Sequence, residues 1–344
     1  MDTIKTTNRL LLVLVIPVIF YLAKTLSFIL IPLVSSMFIA LLFLPLMRFL
    51  RKKGIPKIIS ILIVIVIIAL GLKLGLELVK LSGQQILASD ATFFDKAQLK
   101  INNLISDINQ VFGVESTNKD TSLLRLINKD AAMKQLFPTV GFLGSFLTAI
   151  LMTVFFSVLW LADSIDIQKV LNATILKKKH TSVKTFRKIE KDLIKFIKVK
   201  FLVSALTGLG TGLACYFFDV SFPIFWGLFG FLINFVQMVG SFVTVILCSL
   251  FAFVELEFNS VLFFFVLSIT MVQVLFGSIL EPVFMGKSFS INIITVLVML
   301  MFWGFIWGIP GLIMAIPITV FFKIIFEQFP NTKFVASLLS ASPK

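Results

Sequence analysis

Residues 291–326 form an apolar run carrying a single charge, Lys323, and yet hold Gly304, Gly308, Ile309-Pro310-Gly311 and Pro317. A soluble core helix has no use for so long an apolar segment, and an uninterrupted membrane crossing has no use for so many breakers. Apolar throughout and broken in the middle describes a segment that enters a bilayer and turns within it. That constraint governs the reading of the rest of the chain.

The composition agrees. The chain is 58% hydrophobic and 14% charged over 344 residues, against about 25% charged in ordinary globular domains. Its apolar runs do not alternate with polar residues as β-barrel strands would. The expectation is an all-α polytopic membrane protein of about 6–8 membrane helices. The formal charge of +14 would point to nucleic acid in a soluble protein, but its distribution excludes that reading. Ten lysines and one arginine fall within 165–200 against Asp166, Glu190 and Asp192, and Arg48, Arg51, Lys52, Lys53 and Lys57 form a second basic group. Basic residues gathered in alternate loops mark the cytoplasmic side.

On this pattern 1–80 holds N-terminal membrane helices, with 10–47 read as two short helices, interrupted by Pro17, Pro32 and Pro45, that go out and return. Residues 81–138 carry six basic and six acidic side chains, and Ile101, Leu104, Ile105, Ile108, Val111 and Phe112 mark one face of an amphipathic helix. This is expected to be a small extracytoplasmic helical insert. A membrane helix follows at 139–164, then a basic amphipathic segment, 165–200, expected to lie along the cytoplasmic interface. The tail, 328–344, ends in the cytoplasm with the N-terminus.

Two units then read alike, each a span plus a broken hairpin: 201–257 and 258–327. Acidic residues flank the first hairpin, 222–254, and place its ends outside, whereas the span 260–280 crosses inward so that the second, 291–326, has both ends inside, and the two are oppositely oriented. Thirty-three helical residues give about 50 Å, short of the roughly 60 Å that two full crossings need, which favours re-entrant or broken helices. Inverted repeats whose broken helices meet near the midplane are a recurrent secondary-transporter plan. Phe225-Trp226-Gly227 with Gly230 echoes Phe302-Trp303-Gly304 with Gly308.

Enzyme chemistry is poorly supported. The single histidine, His180, lies in the basic segment and not in a span, there is no Gly-x-x-x-x-Gly-Lys-Ser/Thr phosphate loop, and no pair of intramembrane aspartates exists. Cys215 and Cys248 read as packing residues, so neither metal nor cofactor is expected. Polar groups at membrane depth are instead the candidates for solute contact: Asn234, Gln237, Gly240, Gln273 and Asn292, with Gly308, Pro310 and Gly311 at the second break. The alternative for each amide is that it merely ties helices together. Glu281 reads as an interfacial cap, with a buried carrier carboxylate as the alternative.

Pro282-Val283-Phe284-Met285-Gly286-Lys287-Ser288, followed by Gly304, Gly308, Gly311, Leu312 and Ala315-Ile316-Pro317, resembles the C-terminal signature of the autoinducer-2 exporter family of bacterial membrane proteins. Asn234 through Gly240 extends the likeness. The resemblance implies a permease-like inner-membrane protein, with substrates in the family that include autoinducer-2 and, for some members, sodium or lithium exchanged for protons. Gln237 and Ser241 stand where the family usually has prolines, Phe276 where many members have an acid, and Asn292-Ile293 where His-Pro is usual. These departures weigh against proton-coupled exchange. The expected function is secondary transport, as an exporter of a small polar solute, an autoinducer-2-like signal or a monovalent cation, by a homo-oligomer in the lipid bilayer. A non-transporting scaffold and a passive channel are the alternatives.

Overall fold

The computed structural model describes residues 2–88, 99–100, 140–163, 181–236, 239–256, 260–286, 291–328 and 332–340. Among these every named element is helical, and the one β-bridge, between Ile291 and Ser340, is isolated. Four helical stretches are long and apolar enough to cross a membrane, Ser27–Lys52, Lys57–Gln85, Ser260–Met285 and Ile293–Glu327, and shorter apolar helices lie beside them. The all-α polytopic architecture expected of the composition is therefore the one the chain adopts. Most of the insert expected at 81–138 lies outside the described residues, as do Gln237, Lys287 and His180.

At the N-terminus α1 (Asp2–Thr25) meets α2 (Ser27–Lys52) through the single residue Leu26. Leu26 N–H donates to Leu22 O and its own carbonyl accepts from Leu30 N, so helical bonding enters and leaves the junction. There is no loop there on which an out-and-back pair could turn. Pro17, Pro32 and Pro45 lie inside these helices and do not end them. In a bilayer, neighbouring helices re-satisfy the backbone groups that proline frees.

Helix α2 buries Pro32, Ser36, Ala40, Leu44 and Met47, a stripe at three- and four-residue spacing. That stripe packs on Val64 and Ile68 of α3 (Lys57–Ala88) and on Leu161 of α4 (Val140–Asp163).

Helix α5 (Thr181–Phe217) is one continuous rod. Residues 181–200 therefore do not form a separate interfacial helix but run straight into the span. Arg48 near the end of α2 pairs with Glu190 on this basic part.

The first hairpin is α6 (Pro223–Ile233) and α7 (Val239–Glu255). Eleven residues give α6 a length of about 17 Å, roughly half the hydrocarbon thickness. Its turn is tight, since a Cβ on Gly240 would lie 2.0 Å from Ile233 O. Its feet are tied together by Glu255, which accepts from Ser221 N at 2.8 Å and from the Ser221 hydroxyl.

Next come α8 (Ser260–Gln273), a π-helical stretch (Val274–Leu280) and the short α9 (Glu281–Met285). The second hairpin is α10 (Ile293–Gln328), broken at Gly308, where φ is 63° and ψ −139°. A Cβ on Gly311 would lie 1.9 Å from Trp303 O, and one on Gly304 would lie 2.8 Å from the Leu312 side chain. The two arms thus fold back on each other, with Val296 and Leu300 packed among Ala315, Ile316, Val320 and Ile324. The feet are again tied, by α11 (Lys333–Leu339): Asn292 N donates to Leu339 O at 3.1 Å.

Helices α5 and α8 are antiparallel, because Phe218 stacks edge-on to Phe265 at one end while Lys200 meets Glu281 at the other. One hairpin is rooted at each end of this pair, so the expected opposition of the two hairpins holds. The tip of the first, Ile233, Val236 and Val239, shares a core with Leu300, Trp303, Leu312 and Ala315 of the second.

The second tip behaves otherwise. Gly308, Ile309 and Pro310 are exposed, and a Cβ on Gly308 would meet nothing within 4 Å. Trp307 beside it donates from Nε1 to Ala23 O at 3.0 Å. The first tip therefore docks on the arms of the second hairpin, whose own tip points to the α1–α2 junction. Among the described residues, the first tip meets Trp303 and Leu312 beside the second break, while Gly308, Ile309 and Pro310 stand outside that contact. The Phe-Trp-Gly echo also divides: Gly227 and Gly230 face α5, whereas Gly304 packs within its own hairpin.

A buried polar seam between α5, α6 and α8

Glycine brings α6 against α5. A Cβ on Gly208 would sit 2.7 Å from Gly227 O, and one on Gly212 would be 3.4 Å from the Gly227 Cα. Gly208-x-x-x-Gly212 is a small-residue spacing that lets membrane helices approach to backbone contact. That spacing was the available signal for this contact, and a hydropathy reading passes over it.

So close an approach seals a line of polar side chains on α5. Lys200, Ser204, Thr207 and Thr211 are at most 3% exposed, and their spacing of four, three and four residues keeps them on one helical face. The sequence reading missed all four. Lys200 was hidden among nine other lysines, and three hydroxyl residues in an apolar helix carry little signal on their own.

Their partners divide the line in two. Lys200 Nζ donates to both carboxylate oxygens of Glu281, at 2.9 and 3.0 Å, with both side chains buried. Glu281 is thus not the interfacial cap its position suggested but half of an interior ion pair. One turn along, Asn234 Nδ2, at the end of α6, donates to Ser204 Oγ at 3.0 Å.

Beyond these, the hydroxyls of Thr207 and Thr211 have no hydrogen-bond partner among the described residues. Thr153, Thr244, Thr270 and Thr319, by contrast, each donate to the carbonyl four residues back, while Gln85 Oε1, Trp226 Nε1 and Ser249 Oγ are likewise unpartnered among the described residues. Gln273 is 3% exposed, and both its amide atoms are also unpartnered among the described residues.

Register sets these groups at one height. Lys200 is level with Glu281, Phe218 with Phe265, and a Cβ on Gly210 would touch Val272 and Phe276. Gln273 therefore lies at the height of Thr207 and Thr211. A buried polar group left unpaired costs about 1–3 kcal/mol, and four such atoms lie at this one height of the helix bundle.

Of the residues expected to form a site, Asn234 and Gln273 lie in this seam. Gly240 shapes the turn beside it. Asn292 does not join them: its Oδ1 accepts from Ile294 N at 3.1 Å and starts α10. Gly308 and Pro310 are at the exposed tip, and Gly311 is a close-packing position. Gln237 lies outside the described residues. Among the motif residues, Pro282 opens α9, Gly286 ends it with φ of 78°, Gly304 packs on Leu312, and Pro317 sits inside α10. Lys287 is outside the described residues.

Comparison with known proteins agrees with this architecture. A protein from Haemophilus influenzae named as a transport protein is 23% identical over 317 residues, 90% of each chain. The Escherichia coli K12 protein named AI-2 transport protein TqsA is 23% identical over 312 residues, 91% of this chain and 89% of its own. A Borreliella burgdorferi protein, also named as a transport protein, is 35% identical over 157 residues, 45% of this chain and 43% of its own. The model of the AI-2E family transporters matches residues 10–331. With opposed hairpins around a buried polar seam and a family match along nearly its whole length, the chain belongs to the AI-2E family of membrane transporters.

Proposed function

We propose that the chain is a secondary transporter that moves a small polar solute along the seam between α5, α6 and α8, without ATP. The observation that carries this reading is the set of buried, unpartnered groups at one height: Thr207 Oγ1, Thr211 Oγ1 and both amide atoms of Gln273. These are neutral donors and acceptors, and the buried charges beside them, Lys200 and Glu281, neutralise each other. Such a lining suits a hydroxyl-bearing neutral solute better than a bare monovalent cation, which wants several converging oxygens or an unpaired carboxylate. The name of the Escherichia coli relative, an AI-2 transport protein, supports an AI-2-like solute of that kind. The basic ends of α2 and α5 favour a plasma-membrane setting with those ends in the cytoplasm.

Counterflow in proteoliposomes, across a panel of neutral polar solutes and monovalent cations, tests the proposal. Accumulation of at least one neutral solute above protein-free vesicles is expected. No flux from folded, inserted protein would overturn it.

A further inference from the structure

A buried lysine–glutamate pair is a poor way to hold helices together. Desolvation roughly cancels the attraction, and an apolar pair of the same volume commonly does as well or better. A π-helical stretch is likewise rare and is concentrated where helices must do more than pack. Here the two features adjoin. The π stretch Val274–Leu280 begins just after Gln273 in the seam and ends just before Glu281 on Lys200.

A π stretch carries an extra residue relative to an α-helix covering the same rise. Resolving it to α geometry turns one side against the other by about 100° and shifts it by about 1.5 Å. Gln273 in the seam and Glu281 on Lys200 are therefore compatible together only while the stretch stays π. If it becomes α, one of them must leave.

The packing says which. Helix α8 is anchored through Leu262, Phe265 and Ile269 in a core with Ala214, Cys215, Trp226 and Cys248. On the other side α9 has five residues and fewer anchors: it buries Glu281 on Lys200 and Met285 in a core shared with Leu193 and Phe196 of α5, and it ends at Gly286 with φ of 78°, a backbone state open to glycine. None of the residues of the stretch is buried, and its Phe276 side chain lies against Gly210 of α5.

We propose that the Lys200–Glu281 ion pair is a latch, and that its release lets the π stretch become α-helical. Helix α9 then rotates about Gly286 and opens the Lys200 end of the seam. The element is bistable, as a gate must be, and the pair biases it toward the closed state. This rests on the transport reading of the seam, but its test needs no solute, so the two fail separately.

The test places a cysteine at Met285, which is 5% exposed, in a Cys215→Ala/Cys248→Ala background. Labelling by a small water-soluble maleimide is then followed in proteoliposomes. With the latch intact labelling is slow. Lys200→Gln or Glu281→Gln should each speed it about tenfold or more by raising a minor open state, and the exchanged pair Lys200→Glu/Glu281→Lys should restore the slow rate. Equal labelling in all four proteins would overturn the proposal, as would an exchanged pair as fast as the single variants.

If the single variants do not fold, spin labels at Val283 and Leu209, both well exposed, read the same motion in Lys200→Met/Glu281→Leu, which lacks the latch but leaves no buried charge unpaired. The parent is expected to show one dominant distance, and the double variant a second population displaced by roughly 8 Å, the arc of a side chain about 5 Å from a helix axis turned by about 100°. The same single population in both proteins would overturn the proposal.

Discussion

A Cβ placed on Gly208 would lie 2.7 Å from the carbonyl oxygen of Gly227 and 2.8 Å from the Phe231 Cβ. The neighbour is backbone and cannot step aside, so α6 would have to move off α5. Gly208→Ala is expected to lower stability by about 1–3 kcal/mol, the usual cost of overpacking. It should also loosen the seam that the contact seals. Thermal unfolding in detergent micelles checks the first effect, and hydrogen exchange across Lys200–Thr211 the second.

The second hairpin should separate two kinds of glycine. Gly308 has φ of 63° with ψ of −139°, close to a region essentially restricted to glycine, but open space around it, so Gly308→Ala costs about 1–3 kcal/mol from backbone strain alone. Gly311 has ordinary φ but stands 1.9 Å, measured from an added Cβ, from Trp303 O. Gly311→Ala should therefore be the more damaging of the two, to the point of opening the turn. Unfolding midpoints of the two variants measured side by side decide this.

The ion pair should show strong non-additivity. Lys200→Met leaves Glu281 buried and unpaired, and Glu281→Leu does the same to Lys200, so each is expected to cost about 3–5 kcal/mol. Together they leave two apolar side chains of suitable size, and most of the loss should return. A double-mutant cycle on denaturation midpoints provides the number.

Two hydroxyls on the same face of α5 should respond in opposite ways. Ser204 accepts from Asn234, so Ser204→Ala strands a buried amide and costs about 1–3 kcal/mol. Thr207 has no partner among the described residues, so Thr207→Val removes a desolvated hydroxyl and should be neutral or stabilising. Melting temperatures of the two variants check the contrast directly.

Hydropathy and charge placement were enough to read the helical membrane class and the opposed hairpins. Those properties depend on long runs of similar residues, which one sequence displays openly. The breaks at Gly240 and Gly308 were legible too, because glycine and proline act locally. What remained hidden depends on distant partners. Lys200 looks like its neighbouring lysines until Glu281, 81 positions on, is seen against it. Thr207 and Thr211 are ordinary residues until their lack of partners among the described residues is known. The second tip was misplaced because Trp307 is held by Ala23, a contact spanning 284 positions that no local pattern announces.

The central claim is that the unpartnered groups of the seam carry the solute. Replacing Thr207 and Thr211 by valine and Gln273 by leucine removes those groups with little change in volume, and none of their hydrogen bonds among the described residues is lost. Counterflow of the best-transported solute in proteoliposomes should fall to the level of protein-free vesicles, while the melting temperature of the variant stays at or above that of the parent. Undiminished flux through the triple variant would contradict the account.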